Sequence, residues 1–212
     1  MIEIGHKHTK LHYKLFSSFR RRRIAKFFGL VAPRLEEHLL DIGGSELTWL
    51  IDAGGEGRFR VTLVNLSFKG ELKDGRFTRL VADATALPLA DGSFDIAYSN
   101  SVIEHVGGLE QQYAFAREAR RVARKLWVQT PARCFPVDVH LMMPFMHYLP
   151  KRLQHLLVPL TPIGIIAPEE AHRSVDEVRL LTYREFKQMF PDCRILKERF
   201  LFLTKSYIAV RV

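Results

Sequence analysis

Val81-Ala82-Asp83-Ala84-Thr85-Ala86-Leu87-Pro88-Leu89-Ala90-Asp91-Gly92-Ser93-Phe94-Asp95-Ile96-Ala97-Tyr98-Ser99-Asn100-Ser101-Val102-Ile103-Glu104-His105-Val106 is the stretch on which the reading of this chain turns. It opens at the end of a short apolar run, residues 79–82, that predicts a strand. An acid and a small residue then lead into a proline-bearing loop. The Asp91-Gly92 pair predicts a turn, and residues 94–99 behind it predict a second strand.

Working outward, the same alternation continues on both sides. Upstream, residues 39–42 form an apolar run that ends in Asp41-Ile42-Gly43-Gly44-Ser45. Residues 47–53 predict a short helix stopped by Gly54 and Gly55, and residues 60–66 predict a strand. Downstream, residues 109–124 predict a helix with Leu109, Tyr113, Ala116 and Ala119 on one stripe. Residues 126–129 predict a strand closed by Pro131. Alternating strands and helices imply a mostly parallel sheet covered on both faces, with ligands beyond the carboxyl ends of the strands.

The glycine turn after the first strand lets backbone approach a ligand closely, because no Cβ intervenes. By itself that turn is also compatible with a purely structural role. The ordered sequence of an acid, a Leu-Pro loop, Ser-Phe-Asp, a strand and Ile-Glu-His-Val is far more specific. It resembles the class I S-adenosylmethionine (SAM) dependent methyltransferases, in particular the small type-11-like group, over residues 37–131. The resemblance implies a Rossmann-like α/β fold, a seven-stranded mostly parallel sheet with helices on both faces and an antiparallel C-terminal hairpin. The runs 193–199 and 205–212 supply that hairpin, the latter with strand alternation.

The same resemblance implies a cofactor, SAM, and positions for it. Asp41, Gly43, Gly44 and Ser45 would line its methionine part, and Asn65 stands where an acid usually binds the ribose hydroxyls. Leu66 would pack on the adenine, Asp83 and Ala84 would meet its edge, and Ser99 and Asn100 would close the pocket. Three departures accompany the match. Ser45 and Leu47 occupy positions where glycine is common, Asn65 supplies no charge, and residues 67–77 leave little room for a crossover helix. A SAM-binding homologue without catalysis is therefore one alternative.

A sulfonium methyl is already activated, so the protein must mainly align a nucleophile and exclude water. His105 is the first candidate for a general base and Glu104 the second; packing or helix capping is the competing role for His105. The domain is expected to span residues 1–212, with a basic N-terminal helical segment over 1–33 and a substrate-covering insert over 132–180. In that insert His140, His147 and Tyr148 could anchor an acceptor in a Met-rich apolar setting. His140 and His147 are not spaced with a further ligand, so no metal site is expected.

The 212 residues, 47% hydrophobic and 26% charged, suffice for one self-contained domain. Cys134 and Cys193 lie in no CxxC pair and read as reduced packing residues. No secretory signal or 18-residue apolar run is visible, so a cytoplasmic protein is expected. The net charge is +9, with Arg20, Arg21, Arg22 and Arg23 at its centre. That run suits attachment to an anionic membrane surface, compatible with a small-molecule or lipid-linked acceptor. The alternative partner is RNA, but the aromatics beside the arginines, Phe16, Phe19, Phe27 and Phe28, are assigned to the core rather than to base stacking. Ser99-Asn100-Ser101-Val102 is no Asn/Asp-Pro-Pro-aromatic tetrapeptide, which favours O-, C- or small-molecule N-methylation over exocyclic amino groups of bases.

Overall fold

The computed structural model describes residues 6–52, 59–72 and 74–212. Seven strands form one sheet: β1 (His38–Ile42), β2 (Arg60–Asn65), β3 (Phe77–Val81), β4 (Phe94–Asn100), β5 (Ala123–Pro131), β6 (Arg194–Phe200) and β7 (Leu203–Arg211). Their order is β3-β2-β1-β4-β5-β7-β6. The first five pair in parallel, Leu40 opposite Ala97 and Ala97 opposite Leu126. β7 runs antiparallel to both β5 and β6. The order reverses between β1 and β4, and in open sheets of this kind ligands bind beyond the carboxyl ends of the strands at such a switch point.

Both faces are covered, as the strand composition requires. On one face α2 (Leu109–Val122) and α6 (Tyr183–Met189) bury Phe115, Ala119 and Phe186 against Leu40, Ala97 and Leu126. On the other, α1 (His6–Val31) buries Ile24, Phe27 and Val31 against Leu39, Leu63, Ile96 and Trp127. Phe27 is the hub of this second layer, edge-on to Trp49, Tyr98 and Trp127 at 5.1–5.9 Å. Such pairs add about 0.5–1.5 kcal/mol each beyond the area they bury.

Two elements differ from the sequence reading. The short helix expected over 47–53 is a π-type turn, Thr48–Asp52, from which Trp49 joins the aromatic cluster. Gly54 and Gly55, the expected stop, lie outside the described residues, as do the side chains of Leu15 and Phe16. β5 begins directly at the end of α2 and takes in Arg124 and Lys125. Their charges are satisfied at the strand's start by Asp95 at 2.5 Å and Glu37 at 2.8 Å, so the polar pair does not break the strand. Between β2 and β3 the described residues contain no crossover helix, as the short spacing implies.

Between β5 and β6 lies a large excursion with α3 (Lys151–Leu157), α4 (Pro162–Ile166) and α5 (Pro168–Glu177) ahead of α6. It gathers a small core of its own from Leu141, Met146, Val158, Ala171 and Val175. α6 starts at a capping box in which the Thr182 hydroxyl and the Glu185 carboxylate satisfy each other's backbone N–H groups. No helix among the described residues is long and apolar enough to cross a membrane.

Candidate active site

The glycine turn after β1 is built around a buried carboxyl. Asp41 is 1% exposed, and its Oδ2 accepts a hydrogen bond from the Trp49 indole N–H at 2.8 Å. Its Oδ1 is buried without a hydrogen-bond partner. Burial pushes the carboxyl up to about 7, with the Trp49 bond opposing. A Cβ on Gly44 would lie 1.8 Å from Asp41 Oδ2, so only glycine lets the chain fold over this carboxyl. Gly43 takes a positive φ of 77°, and a Cβ there would meet Val102 at 2.5 Å. The Asn65 amide at the end of β2 donates to the Gly44 carbonyl at 2.9 Å and ties the turn to the neighbouring strand.

These features fit a SAM site in part. The close-packed glycines and the unpartnered, buried Asp41 oxygen suit a ligand that brings an amine to the strand end. Leu66, 70% exposed beside Asn65, offers an apolar face for a flat ring. Asp83 is exposed and turns its carboxylate back onto the Thr85 backbone N–H and hydroxyl, both at 2.8 Å. Ala84 packs against the core, and Ser45 is exposed. Ser99 is the exception: fully buried, its hydroxyl donates to the Ile42 carbonyl at 3.0 Å and staples β4 to β1.

Beyond the carboxyl ends of β4 and β5 lies a cavity of about 250 Å³, lined among others by Arg23, Asn100, Ser101, His105, His140 and Lys205. Of the expected cofactor residues Asn100 alone lines it. Ser101 leaves β4 at φ 57°, a left-handed conformation unusual for serine. Its hydroxyl donates to the Gln129 side chain at 2.9 Å.

The run of four arginines divides, and buried Arg23 drops out of the set expected to meet an anionic membrane surface. Arg21 and Arg22 are exposed, and Arg20 lines the cavity. Arg23 is 6% exposed. Its guanidinium donates to Asn100 Oδ1 at 2.6 Å, Gln129 Oε1 at 2.9 Å and Glu198 Oε2 at 2.7 Å. Burial pushes Glu198 up, but the Arg23 charge and hydrogen bonds outweigh it and hold the carboxyl below its ordinary range. Position 23 lies four residues from both Phe19 and Phe27, on the apolar stripe. That spacing was the available signal.

The two candidate bases meet a third residue. Glu104 is fully buried; its Oε2 accepts from Thr130 at 3.0 Å and its Oε1 has no hydrogen-bond partner. Burial raises its carboxyl, with His140 and Thr130 opposing. Burial lowers His105 to about 3, helped by the adjacent His140. The His105 and His140 rings stand edge to face with centroids 5.1 Å apart. Of the expected acceptor residues, the structure therefore brings His140 to the cavity. His147 and Tyr148 lie outside its lining and both bond the Arg133 carbonyl, at 2.9 and 2.7 Å.

Residues 40–126 match the family whose description is a methyltransferase domain. No curated protein matches the chain. Among solved structures, a methyltransferase from an antibiotic biosynthesis pathway of Anabaena variabilis shares 16% identity at a TM-score of 0.55, over 84% of this chain. This chain spans 64% of that protein's length. Magnesium protoporphyrin IX methyltransferase of Synechocystis, with bound S-adenosylhomocysteine, shares 13% identity at 0.55, over 100% of this chain and 89% of that one. A Rhodobacter sphaeroides structure described as zinc-dependent alcohol dehydrogenases reaches 0.61 at 13%, covering 90% of this chain and 89% of that one. At such identities the likeness is one of fold alone. The sheet has the Rossmann-like strand order of these structures, and the match to the methyltransferase-domain family covers residues 40–126.

Proposed function

We propose that the chain is a SAM-dependent methyltransferase that moves the sulfonium methyl to a small-molecule or lipid-linked acceptor. The observation that carries this reading is a juxtaposition. The turn over Asp41, at the end of β1, stands next in the sheet to β4, whose end opens on the cavity holding His105, His140 and Arg23. The Synechocystis relative of fold, acting on a magnesium porphyrin, is an instance of a bulky apolar acceptor served by such a sheet.

In this reading Asp41, Gly43 and Gly44 hold the methionine end of SAM, and Asn65, Leu66, Asp83 and Ala84 hold the nucleoside. The cofactor supplies the electrophilic methyl. Asn100 borders the acceptor cavity, and the insert over 132–180 closes it on one side. His105 is neutral at physiological pH and too weakly basic in this setting to hold an acceptor's proton for long. Its place at the cavity suits it better to positioning the acceptor than to holding its proton. The lipid-linked option is supported by exposed Leu156, Leu160, Ile165 and Ile166 of the insert, close in sequence to exposed Lys151 and Arg152.

The test is a thermal titration with SAM and S-adenosylhomocysteine. At 100 times the dissociation constant, one-site binding stabilises by about 2.7 kcal/mol. A saturable shift with both ligands, followed by methyl incorporation into a panel of phenolic, carboxylic and prenylated acceptors, is expected. A folded protein that shifts with neither ligand would overturn the reading.

A further inference from the structure

The meeting of Glu104, His105 and His140 is more than a crowded corner. Each offers one ligand atom, and those atoms lie within 4.8 Å of one another. Two imidazoles and one carboxylate are a donor set that takes zinc and related first-row divalent ions. A second observation points the same way. Glu104 is fully buried, yet its Oε1 is left without a hydrogen-bond partner. Buried polar atoms are rarely left so, because each costs desolvation with nothing in return.

We infer that Glu104, His105 and His140 form a binding site for one divalent transition-metal ion, opening on the cavity at the ends of β4 and β5. The surroundings agree. Asp138 Oδ1 lies 3.5 Å from His140 Nδ1 and accepts from the His140 backbone N–H at 2.8 Å. A carboxylate in that position fixes the ring and its tautomer, the outer support that metal-bound histidines ordinarily have. Thr130 holds the other oxygen of Glu104. Of the cations that line the cavity, Arg23 is paired with Glu198 at 2.7 Å. Both histidines line the cavity, so three protein ligands leave the remaining coordination positions toward it. That is the layout of a site that also binds a substrate atom.

Resting on the methyl-transfer reading, the ion's use would be to hold an acceptor oxygen in its deprotonated form. The acceptor's O–H proton would leave to solvent, the new O–C bond would form as the S–CH3 bond breaks, and S-adenosylhomocysteine would depart neutral at sulfur. The acceptor class this selects is one with a hydroxyl, such as a phenol or an enol, rather than an amine.

The experiment uses full-length protein prepared without a histidine tag, stripped with chelator and titrated with Zn2+ by calorimetry. Co2+ absorption serves as a second probe. One ion per chain is expected, with affinity falling at least tenfold in His140→Ala and in His105→Ala, and visible Co2+ bands lost in both. Glu104→Gln keeps the shape and the Thr130 bond, and is expected to weaken the ion without unfolding the chain. His155→Ala/His172→Ala removes the separate histidine pair on α3 and α5, whose Nδ1 atoms lie 2.7 Å apart, and should leave the stoichiometry at one. No bound ion in folded wild type, or binding untouched by His105→Ala/His140→Ala, would overturn the site. SAM binding is scored separately, so loss of metal with SAM retained sinks this inference alone, and the converse sinks the methyltransferase reading alone.

Discussion

Arg23 and Glu198, 175 residues apart in sequence, form a buried ion pair at 2.7 Å that fastens the N-terminal helix to the last hairpin of the sheet. The same guanidinium reaches Asn100 and Gln129 at the ends of β4 and β5. One side chain thus joins three strands and a helix at the mouth of the cavity.

Removing one partner of such a pair leaves the other charge buried alone. Arg23→Ala is expected to cost about 3–5 kcal/mol, while Arg23→Met with Glu198→Leu should recover most of that loss. Urea unfolding of the two variants checks it. Equal losses in both would mean that the pair is not what holds the helix.

Gly44→Ala places a methyl against Asp41, at a distance where something must move. The cost is expected to reach about 1–3 kcal/mol, the range of overpacking, and SAM-induced stabilisation should vanish. Differential scanning fluorimetry with and without SAM reads both. An alanine variant with undiminished response to SAM would place the ligand away from this turn.

Asp41 carries a raised carboxyl, at about 7. The sign follows from linkage: a folded-state value above the unfolded one means that stability declines as pH rises from about 4 toward 7. Asp41→Asn removes that decline and keeps an acceptor for Trp49. The variant should gain relative stability above pH 7 while binding SAM more weakly. Thermal melts from pH 5 to 9 measure the first effect and calorimetry the second.

His105 has the opposite linkage. Its folded value, about 3, lies below the unfolded one of about 6.5. The stability it contributes is complete above pH 6.5 and falls as the unfolded chain takes up the proton. That loss is about 1.4 kcal/mol per pH unit below 6.5 until the folded value is reached. His105→Asn should flatten the acid limb of the stability profile, read by denaturant unfolding at pH 4, 5 and 6. A parallel acid limb in the variant would show that His105 stays accessible to protons.

The exposed apolar residues of α3 and α4 invite a surface. Leu156 is 72% and Ile165 71% exposed. Leu156→Asp/Ile165→Asp should abolish co-sedimentation with anionic vesicles and leave the melting temperature unchanged. Undiminished binding of the variant would assign the membrane contact elsewhere.

Much of this molecule can be read along the chain because its strands are local signals. The run from Val81 to Val106 closes one strand, sets the next and marks the loop between them, and β1 leads into its glycine turn. What the chain hid depends on contacts across it. Helical spacing sets Arg22 or Arg23 on the stripe of Phe19 and Phe27, but only the fold shows that it is Arg23 that turns inward, to Glu198 of the last hairpin. Tyr148 has the composition of an acceptor anchor but spends its hydroxyl on the Arg133 carbonyl. Along the chain the histidine nearest to His140 is His147. The fold brings Glu104 and His105 instead.

The chain has two tryptophans, and both lie in the aromatic layer under the sheet. Trp49 is also the residue whose indole bonds Asp41 beneath the glycine turn. Any molecule that settles on that turn changes the field at a chromophore one hydrogen bond away. The protein therefore carries its own optical gauge of occupancy, legible without label or reporter.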